Sequence, residues 1–272
     1  MAKYDRQSFL GPNSDKVLGA LRVGLVGLGG GGSHVVQQLA HMGVRNFVLI
    51  DPDVVEETNL NRLVGATTAD ALSKIKKVEI AFRVVQGLVG GDRTRCIAQR
   101  WQEALPYLKG CAVIVGALDS VIAKDQLDAF CKRYSIVYID IGMDVHKLGS
   151  EYLIAGQVVM TSPGGPCLRC LGVVTDNALA AEGGRYGAAG GKPQVVWPNG
   201  VLASLAVGLL AQQVTPWHAA GIQTAYLEYD GNKQTVRESP RLKELRDRTC
   251  PHHPKSEAGD ARFSLRRPPA AQ

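Results

Sequence analysis

Along the first half of the chain, short runs of apolar residues alternate with longer segments in which apolar positions recur at helical spacing. Leu21-Arg22-Val23-Gly24-Leu25-Val26 reads as a strand buried on both faces, followed by glycines and then a helix over Ser33 to Met42. Further strands are expected over Asn46 to Ile50, Arg95 to Arg100, Cys111 to Gly116 and Ser135 to Ile141. Thr67 to Gln86, with an apolar stripe at Ala69, Leu72, Ile75, Val78, Ile80 and Phe82, reads as one helix, and Val121 to Tyr134 as another. Strands alternating with helices predict a Rossmann-like, doubly wound and mostly parallel sheet, hence an α/β fold. Beyond that point the pattern changes. Glu151 to Thr161, Gln223 to Tyr229 and Lys233 to Val236 read as antiparallel strands continuing the sheet, the last two joined as a hairpin through Asp230-Gly231-Asn232. Val201 to Val214 is apolar on nearly every side, a buried helix capped by Asn199 and stopped by Pro216. Asn177 to Val196, rich in Gly and Ala, is expected to form a mobile crossover loop, and 254–272 a disordered tail without a core-forming pattern.

Between the first strand and first long helix stands Gly27-Leu28-Gly29-Gly30-Gly31-Gly32. Glycines let the backbone turn tightly and approach a phosphate with no Cβ in the way, so that free N–H groups and the positive end of the helix meet an anion. Gly27, Gly29 and Gly32 satisfy G-x-G-x-x-G, and Asp51 follows the second strand about twenty residues on, where a carboxylate reaches a ribose hydroxyl. These features fit an NAD-dependent oxidoreductase as well as an ATP enzyme. The choice turns on Asp51-x-Asp53-x-x-Glu56-x-x-Asn59-Leu60-x-Arg62. Hydride transfer has no use for that Asn and Arg, whereas a planar, permanently charged guanidinium neutralises phosphate oxygens. Here the chain resembles the adenylyltransferases related to ThiF, MoeB and HesA, the fold family of the ubiquitin-activating enzymes.

The resemblance extends from Tyr4 to His253 and implies roles for particular residues. Tyr4-Asp5-Arg6-Gln7 matches a Tyr-x-Arg-Gln whose Arg reaches across a homodimer to the partner's ATP phosphates, so Arg6 is expected to act in trans. Lys77, ahead of Val78, matches a phosphate-binding lysine in better register than Lys74. Asp51 would hold the ribose and Asn59 assist at the phosphates. Asp119, just past the fourth strand, is expected to bind Mg²⁺, although as an ordinary residue it would simply cap the following helix. The family's Asp-x-x-Asp-Asn is only half kept, with Gly116 at the first Asp, Ser120 at the Asn and Lys124 at the later Arg. The implied activity is ATP-dependent activation of the C-terminal carboxylate of a small ubiquitin-like or sulfur-carrier protein ending in Gly-Gly. On that reading 1–253 form one adenylation domain, with a nucleotide-binding half over about 1–142 and a carrier-binding half over about 143–253.

Cysteine spacing adds a metal. Cys167-Leu168-Arg169-Cys170 and Cys250-Pro251-His252-His253 offer two ligand pairs for tetrahedral Zn²⁺, with His253 preferred by spacing over His252. Cys96, Cys111 and Cys131 fall within apolar patterns and are expected to pack. The crossover has no cysteine between Cys170 and Cys250, so the thioester or persulfide cysteine of related conjugation enzymes is absent there. The formal charge of +6 is carried in part by Lys255, Arg262, Arg266 and Arg267 in the tail. The remaining excess fits bound ATP and an acidic protein partner as well as RNA, and together with the zinc pairs it argues against a relative that modifies tRNA. A charged N-terminus without a secretory signal, and a longest apolar run of Val201 to Ala211, too short for a bilayer, predict a cytoplasmic protein without membrane segments.

Overall fold

The structure, a computed structural model, describes residues 3–183, 193–218, 223–245 and 248–254. The centre of the expected crossover loop and all but the first residue of the expected tail therefore lie outside the described residues. After a 3-10 turn over Asp5–Leu10 and helix α1 (Ser14–Ala20), the chain enters β1 (Arg22–Val26), α2 (Gly30–His41) and β2 (Asn46–Ile50). Helices α3 (Thr68–Leu72) and α4 (Lys77–Val89) lead to β3 (Arg95–Ile97), and α5 (Leu105–Leu108) to β4 (Val113–Gly116). Helix α6 (Val121–Arg133) then precedes β5 (Val137–Leu148) and β6 (Glu151–Thr161). Helices α7 (Asp176–Gly183) and α8 (Val196–Val214), strands β7 (Ala225–Asp230) and β8 (Thr235–Glu238) and helix α9 (Pro240–Leu245) complete the fold.

All eight strands join one sheet in the order β3-β2-β1-β4-β5-β6-β7-β8. The first five pair in parallel, and the rest antiparallel. The expected doubly wound sheet with an antiparallel continuation is thus the observed one. Its strand order reverses between β1 and β4, where the connections diverge to opposite sides and leave a crevice at the strands' C-terminal ends. One core packs Val23, Leu25, Phe47 and Leu49 against α2, α4 and α8; the other packs Val26, Val48, Ile114 and Tyr138 against α5, α6 and the segment around Leu168. Strands with both faces covered explain why their sequences read as continuous apolar runs.

Several elements differ from their sequence patterns: the start of the expected crossover loop is helix α7, β5 continues past the expected Ile141 to Leu148, and three further differences bear on the site. Helix α2 starts at Gly30, three residues early, because the glycines form its first turn rather than a loop ahead of it. The apolar stripe over 67–86 is broken between α3 and α4: Lys74 takes a left-handed φ of 49°, and Ile75 and Lys76 pair with Val55 and Val54. Backbone groups needed for a continuous helix are spent on the segment after β2 instead. Helix α8 begins at Val196, so Asn199 is not a cap but a buried residue in the first turns, its Nδ2 donating to Val195 O at 2.9 Å. Pro198 is tolerated there because first-turn N–H groups have no helical acceptor. Among the described residues no helix is long and apolar enough to cross a membrane.

The glycine turn is fixed by contact. A Cβ on Gly32 would lie 1.9 Å from Gly27 O, and Gly27 itself, at φ +87°, would place one 2.4 Å from Ala117 O. Around Gly29 there is nothing within 4 Å. Gly32→Ala should therefore cost about 3 kcal/mol through overpacking, while Gly29→Ala should stay within about 0.5 kcal/mol of wild type. Denaturant unfolding of both variants checks this, and equal losses would contradict it.

Candidate active site

A cavity of 760 Å³ opens at the reversal between β1 and β4. Gly29, Gly30, Arg62, Lys77 and Asp119 all line it. Five residues singled out from the sequence thus meet at one place. Gly27, Gly32, Asp51, Asp53 and Asn59 do not line it.

Asp51 is 4% exposed, and its two oxygens accept from Leu28 N at 2.6 Å and Asp53 N at 2.9 Å. It therefore ties the glycine turn to the end of β2. Burial pushes its carboxyl above the usual range, against the opposing pull of Lys77 and the two N–H donors. Asn59 closes a reciprocal cap with Glu56, accepting from Glu56 N at 3.1 Å, and so shapes the turn that delivers Arg62. Arg62 Nη1 donates to Thr58 O at 2.6 Å and Asn61 Oδ1 at 2.9 Å, and no acidic partner neutralises it among the described residues. Lys77 opens α4, where its Nζ meets Asp53 Oδ2 at 2.7 Å with a side chain only 12% exposed. Lys74, on the left-handed kink, does not reach the cavity.

Asp119 is released from a capping role: Ser120 caps α6, its Oγ accepting from Ala123 N at 3.0 Å. The exposed Asp119 carboxylate takes instead the Gln194 amide, Nε2 to Oδ1, at 3.3 Å. Arg6 lies exposed on the N-terminal 3-10 turn and is not among the residues that line this chain's own cavity.

Sequence analysis had passed over a buried network under the cavity floor. Lys124 Nζ donates to Asp140 Oδ2 at 2.8 Å and Ile141 O at 3.0 Å, and Tyr138 Oη donates to the other Asp140 oxygen at 3.0 Å. The ammonium is paired and hydrogen-bonded, which a charge at that depth requires. A Cβ on Gly142 would sit 3.2 Å from it, so the glycine leaves that part of the floor bare. The same network accounts for Gly116, since any Cβ there would lie 2.5 Å from Tyr138 Oη. The Lys124 register was the one signal available in sequence; its buried partners could not be read from spacing.

At the far end of α6, Cys167, Cys170, Cys250 and His252 converge. The Sγ atoms of Cys167 and Cys170 are 3.6 Å apart, those of Cys170 and Cys250 3.7 Å, and His252 Nδ1 lies 3.4 Å from both Cys167 and Cys170. Tetrahedral zinc with its usual bond lengths would separate ligand atoms by about 3.6–3.8 Å, so this donor set fits such an ion. The expected His253 is displaced by His252. An imidazole nitrogen lies farther from the backbone than a thiol sulfur, so a histidine two residues after Cys250 reaches the point for which a cysteine would need three. His253 turns to the buried Asp128 and Cys167. Hydrogen bonding from Cys167, aided by the His252 and His253 N–H groups, outweighs burial and pulls Cys250 down to about 4, while Cys167 is pushed up.

Helix α6 carries the loop that presents this cluster. Asp128 accepts from Leu168 N at 2.7 Å and Thr161 Oγ1 at 2.9 Å, and Lys132 Nζ donates to the carbonyls of Ser162, Gly165 and Pro166. Desolvation disfavours the thiolate at the remaining cysteines: Cys96, whose Sγ is turned toward Val78 O, and Cys111 are pushed up to about 11, and Cys131 well above its usual range. Cys111 and Cys131 pack as expected, but Cys96 is exposed because β3 is a short edge strand.

The curated relatives include the SAMP-activating enzyme E1 of Haloferax volcanii, 32% identical over 174 residues, 62% of this chain and 61% of the relative. The tRNA threonylcarbamoyladenosine dehydratase of Haemophilus influenzae is 33% identical over 135 residues, covering 48% of this chain and 51% of the relative. The molybdopterin-synthase adenylyltransferase of Escherichia coli is 28% identical over 196 residues, 66% and 71% of the two chains. This chain thus spans about half to three fifths of the length of the first two relatives. In fold it is similar to the microcin C7 biosynthetic enzyme MccB in complex with N-formylated MccA, with a TM-score of 0.70 over 88% of this chain and 72% of that one at 20% identity. The ThiF family profile matches residues 4–252. Since that match starts ahead of the first helix and ends at the histidine of the metal cluster, it takes in the antiparallel extension as well as the nucleotide half: the chain belongs to the ThiF family.

Proposed function

We propose that this chain is an ATP-dependent adenylyltransferase that activates the C-terminal carboxylate of a small ubiquitin-like or sulfur-carrier protein ending in Gly-Gly, giving an acyl-adenylate and pyrophosphate. The observation that carries the reading is the convergence of Gly29, Gly30, Arg62, Lys77 and Asp119 on one cavity at the sheet's reversal. That cavity continues along the antiparallel strands past Gly142 and Gly156, a floor suited to a narrow, extended tail without side chains. The antiparallel half, about 143–253, would then be the carrier-binding half, and about 1–142 the nucleotide-binding half.

In this chemistry the carboxylate attacks the α-phosphate, and no protein nucleophile is needed. The chain's own residues position the reactants and neutralise charge. The N–H groups at Gly29 and Gly30, at the positive end of α2, face the phosphates. Arg62 and Lys77 supply the fixed positive charges, with Arg6 of a second copy completing the site in a homodimer. Asp51, whose buried carboxylate accepts from Leu28 N and Asp53 N and does not line the cavity, acts through the glycine turn it holds rather than by the expected direct hold on a ribose. Lys124, held by Asp140, offers its ammonium to the acyl carboxylate as it enters over Gly142. Asp119 would hold Mg²⁺, which when bound neutralises phosphate oxygens. Cys167, Cys170, Cys250 and His252 would hold a structural Zn²⁺, because four protein ligands leave no position for substrate.

A second reading, activation of a carboxylate on a tRNA nucleoside, draws on the Haemophilus influenzae relative. The weakly basic body gives it less support than the cavity gives a protein tail.

Incubation with ATP, Mg²⁺ and small co-encoded proteins ending in Gly-Gly should add the mass of AMP to one of them. Adenylylation of tRNA and of no protein would favour the second reading. Arg62→Ala and Asp119→Ala should each lower pyrophosphate exchange at least about a hundredfold with unchanged unfolding temperatures; near-wild-type exchange in either variant would remove it from the site. For the metal, His252→Ala and Cys170→Ser should lose zinc, measured by mass spectrometry, and about 5 °C or more in melting temperature. His253→Ala should retain one zinc per chain, and the reverse order would contradict the ligand assignment. Mixing Arg6→Ala with Arg62→Ala protein should restore about a quarter of wild-type exchange, since half the dimers are mixed and each has one complete site. No recovery despite proven subunit exchange would refute action in trans.

A further inference from the structure

We infer that Gln194 is a positioning residue for Asp119, tying this carboxylate to the Arg62 loop across the cavity mouth; the inference rests on the adenylyltransferase reading. Arg62 and Asp119 come from separate connections, after β2 and after β4, and no backbone pairing joins those two loops among the described residues. Three hydrogen bonds link them through a residue much later in the chain. Arg62 Nη1 donates to Asn61 Oδ1 at 2.9 Å, Asn61 Nδ2 donates to Gln194 O at 3.0 Å, and Gln194 Nε2 donates to Asp119 Oδ1 at 3.3 Å. Gln194 also lines the cavity. Its main chain is therefore fixed by one catalytic loop while its side chain reaches the other.

The chemistry of this donor matters. An exposed aspartate turns about two soft torsions, and one N–H on Oδ1 restricts that freedom while leaving Oδ2 without a protein partner among the described residues. A lysine in the same place would cancel the charge a cation needs, whereas a neutral amide orients the carboxylate without adding an opposing charge. The 3.3 Å bond is long, and a cation on Oδ2 would not have to displace it. Asp119 carries no other side-chain hydrogen bond among the described residues, so its orientation depends on Gln194. Anchoring of Gln194 O by Asn61 thereby couples the position of the Asp119 carboxylate to that of the Arg62 loop.

The test uses Mn²⁺ as a paramagnetic substitute for Mg²⁺, titrated by EPR into the full chain saturated with a non-hydrolysable ATP analogue. Gln194→Ala should weaken Mn²⁺ binding about tenfold, the lower end of what loss of an outer-shell partner of a metal ligand costs, because the bond it removes is long. Its melting temperature and its affinity for the analogue without metal should be unchanged. Asn61→Ala should act in the same direction, and the double variant should lose less than the sum of the two. If Asp119→Ala loses Mn²⁺ and Gln194→Ala does not, the inference is overturned and the metal reading stands. If Asp119→Ala itself keeps Mn²⁺, the metal reading falls and takes the inference with it. A drop in melting temperature together with weaker metal-free nucleotide binding in Gln194→Ala would make the role structural and overturn the proposal.

Discussion

The contact between Gly32 and Gly27 O, too close for any Cβ, sets where α2 starts, and the cavity is built on that start. Only a glycine lets the first turn of the helix lie against the end of β1, so its free N–H groups stand at the sheet's reversal rather than some ångströms above it. Asp51 then fastens the turn through Leu28 N, which carries the geometry of β1 to β2. A buried carboxylate is costly unless hydrogen-bonded, and here two backbone donors satisfy it. Asn199, packed on Gly30 from α8, extends the same constraint to the C-terminal half.

Helix α6 links the two candidate sites by a row of charges at helical spacing. Lys124, Asp128 and Lys132 recur every four residues and so share one face, which would ordinarily be the solvated one. All three are buried. Each finds partners that a strand end or loop carbonyl provides: Asp140 and Ile141 O, then Leu168 N and Thr161, then three carbonyls ahead of Cys167. The Arg169 pair to Asp125, with two contacts of 2.7 Å, closes the same helix onto the segment between the cluster cysteines. Because buried polar groups demand defined geometry, this row fixes the rotation of α6 and therefore the relative placement of cavity and metal cluster.

Sequence alone determined the glycine turn and the alternation of parallel strands with helices, because local rules govern each, whereas Arg62 was singled out by its charge beside that turn and Lys77 and Asp119 by resemblance to the family. A doubly buried strand must read as an apolar run, and a backbone that closes on itself must be glycine. Cys167, Cys170 and Cys250 were legible for the same reason, as ligand spacing within a knuckle is a local property. Tertiary structure decided what depends on partners distant along the chain. It broke the stripe over 67–86 because Val54 and Val55 claimed its backbone, made Asn199 a packing residue instead of a cap, and chose His252 over His253 by reach. It also brought Gln194 to Asp119 and Asp140 to Lys124, pairings for which no periodicity exists. Periodicity reports which face of an element is buried; which group on another element meets that face is set only when the sheet closes and backbone donors and buried charges must all find partners at once.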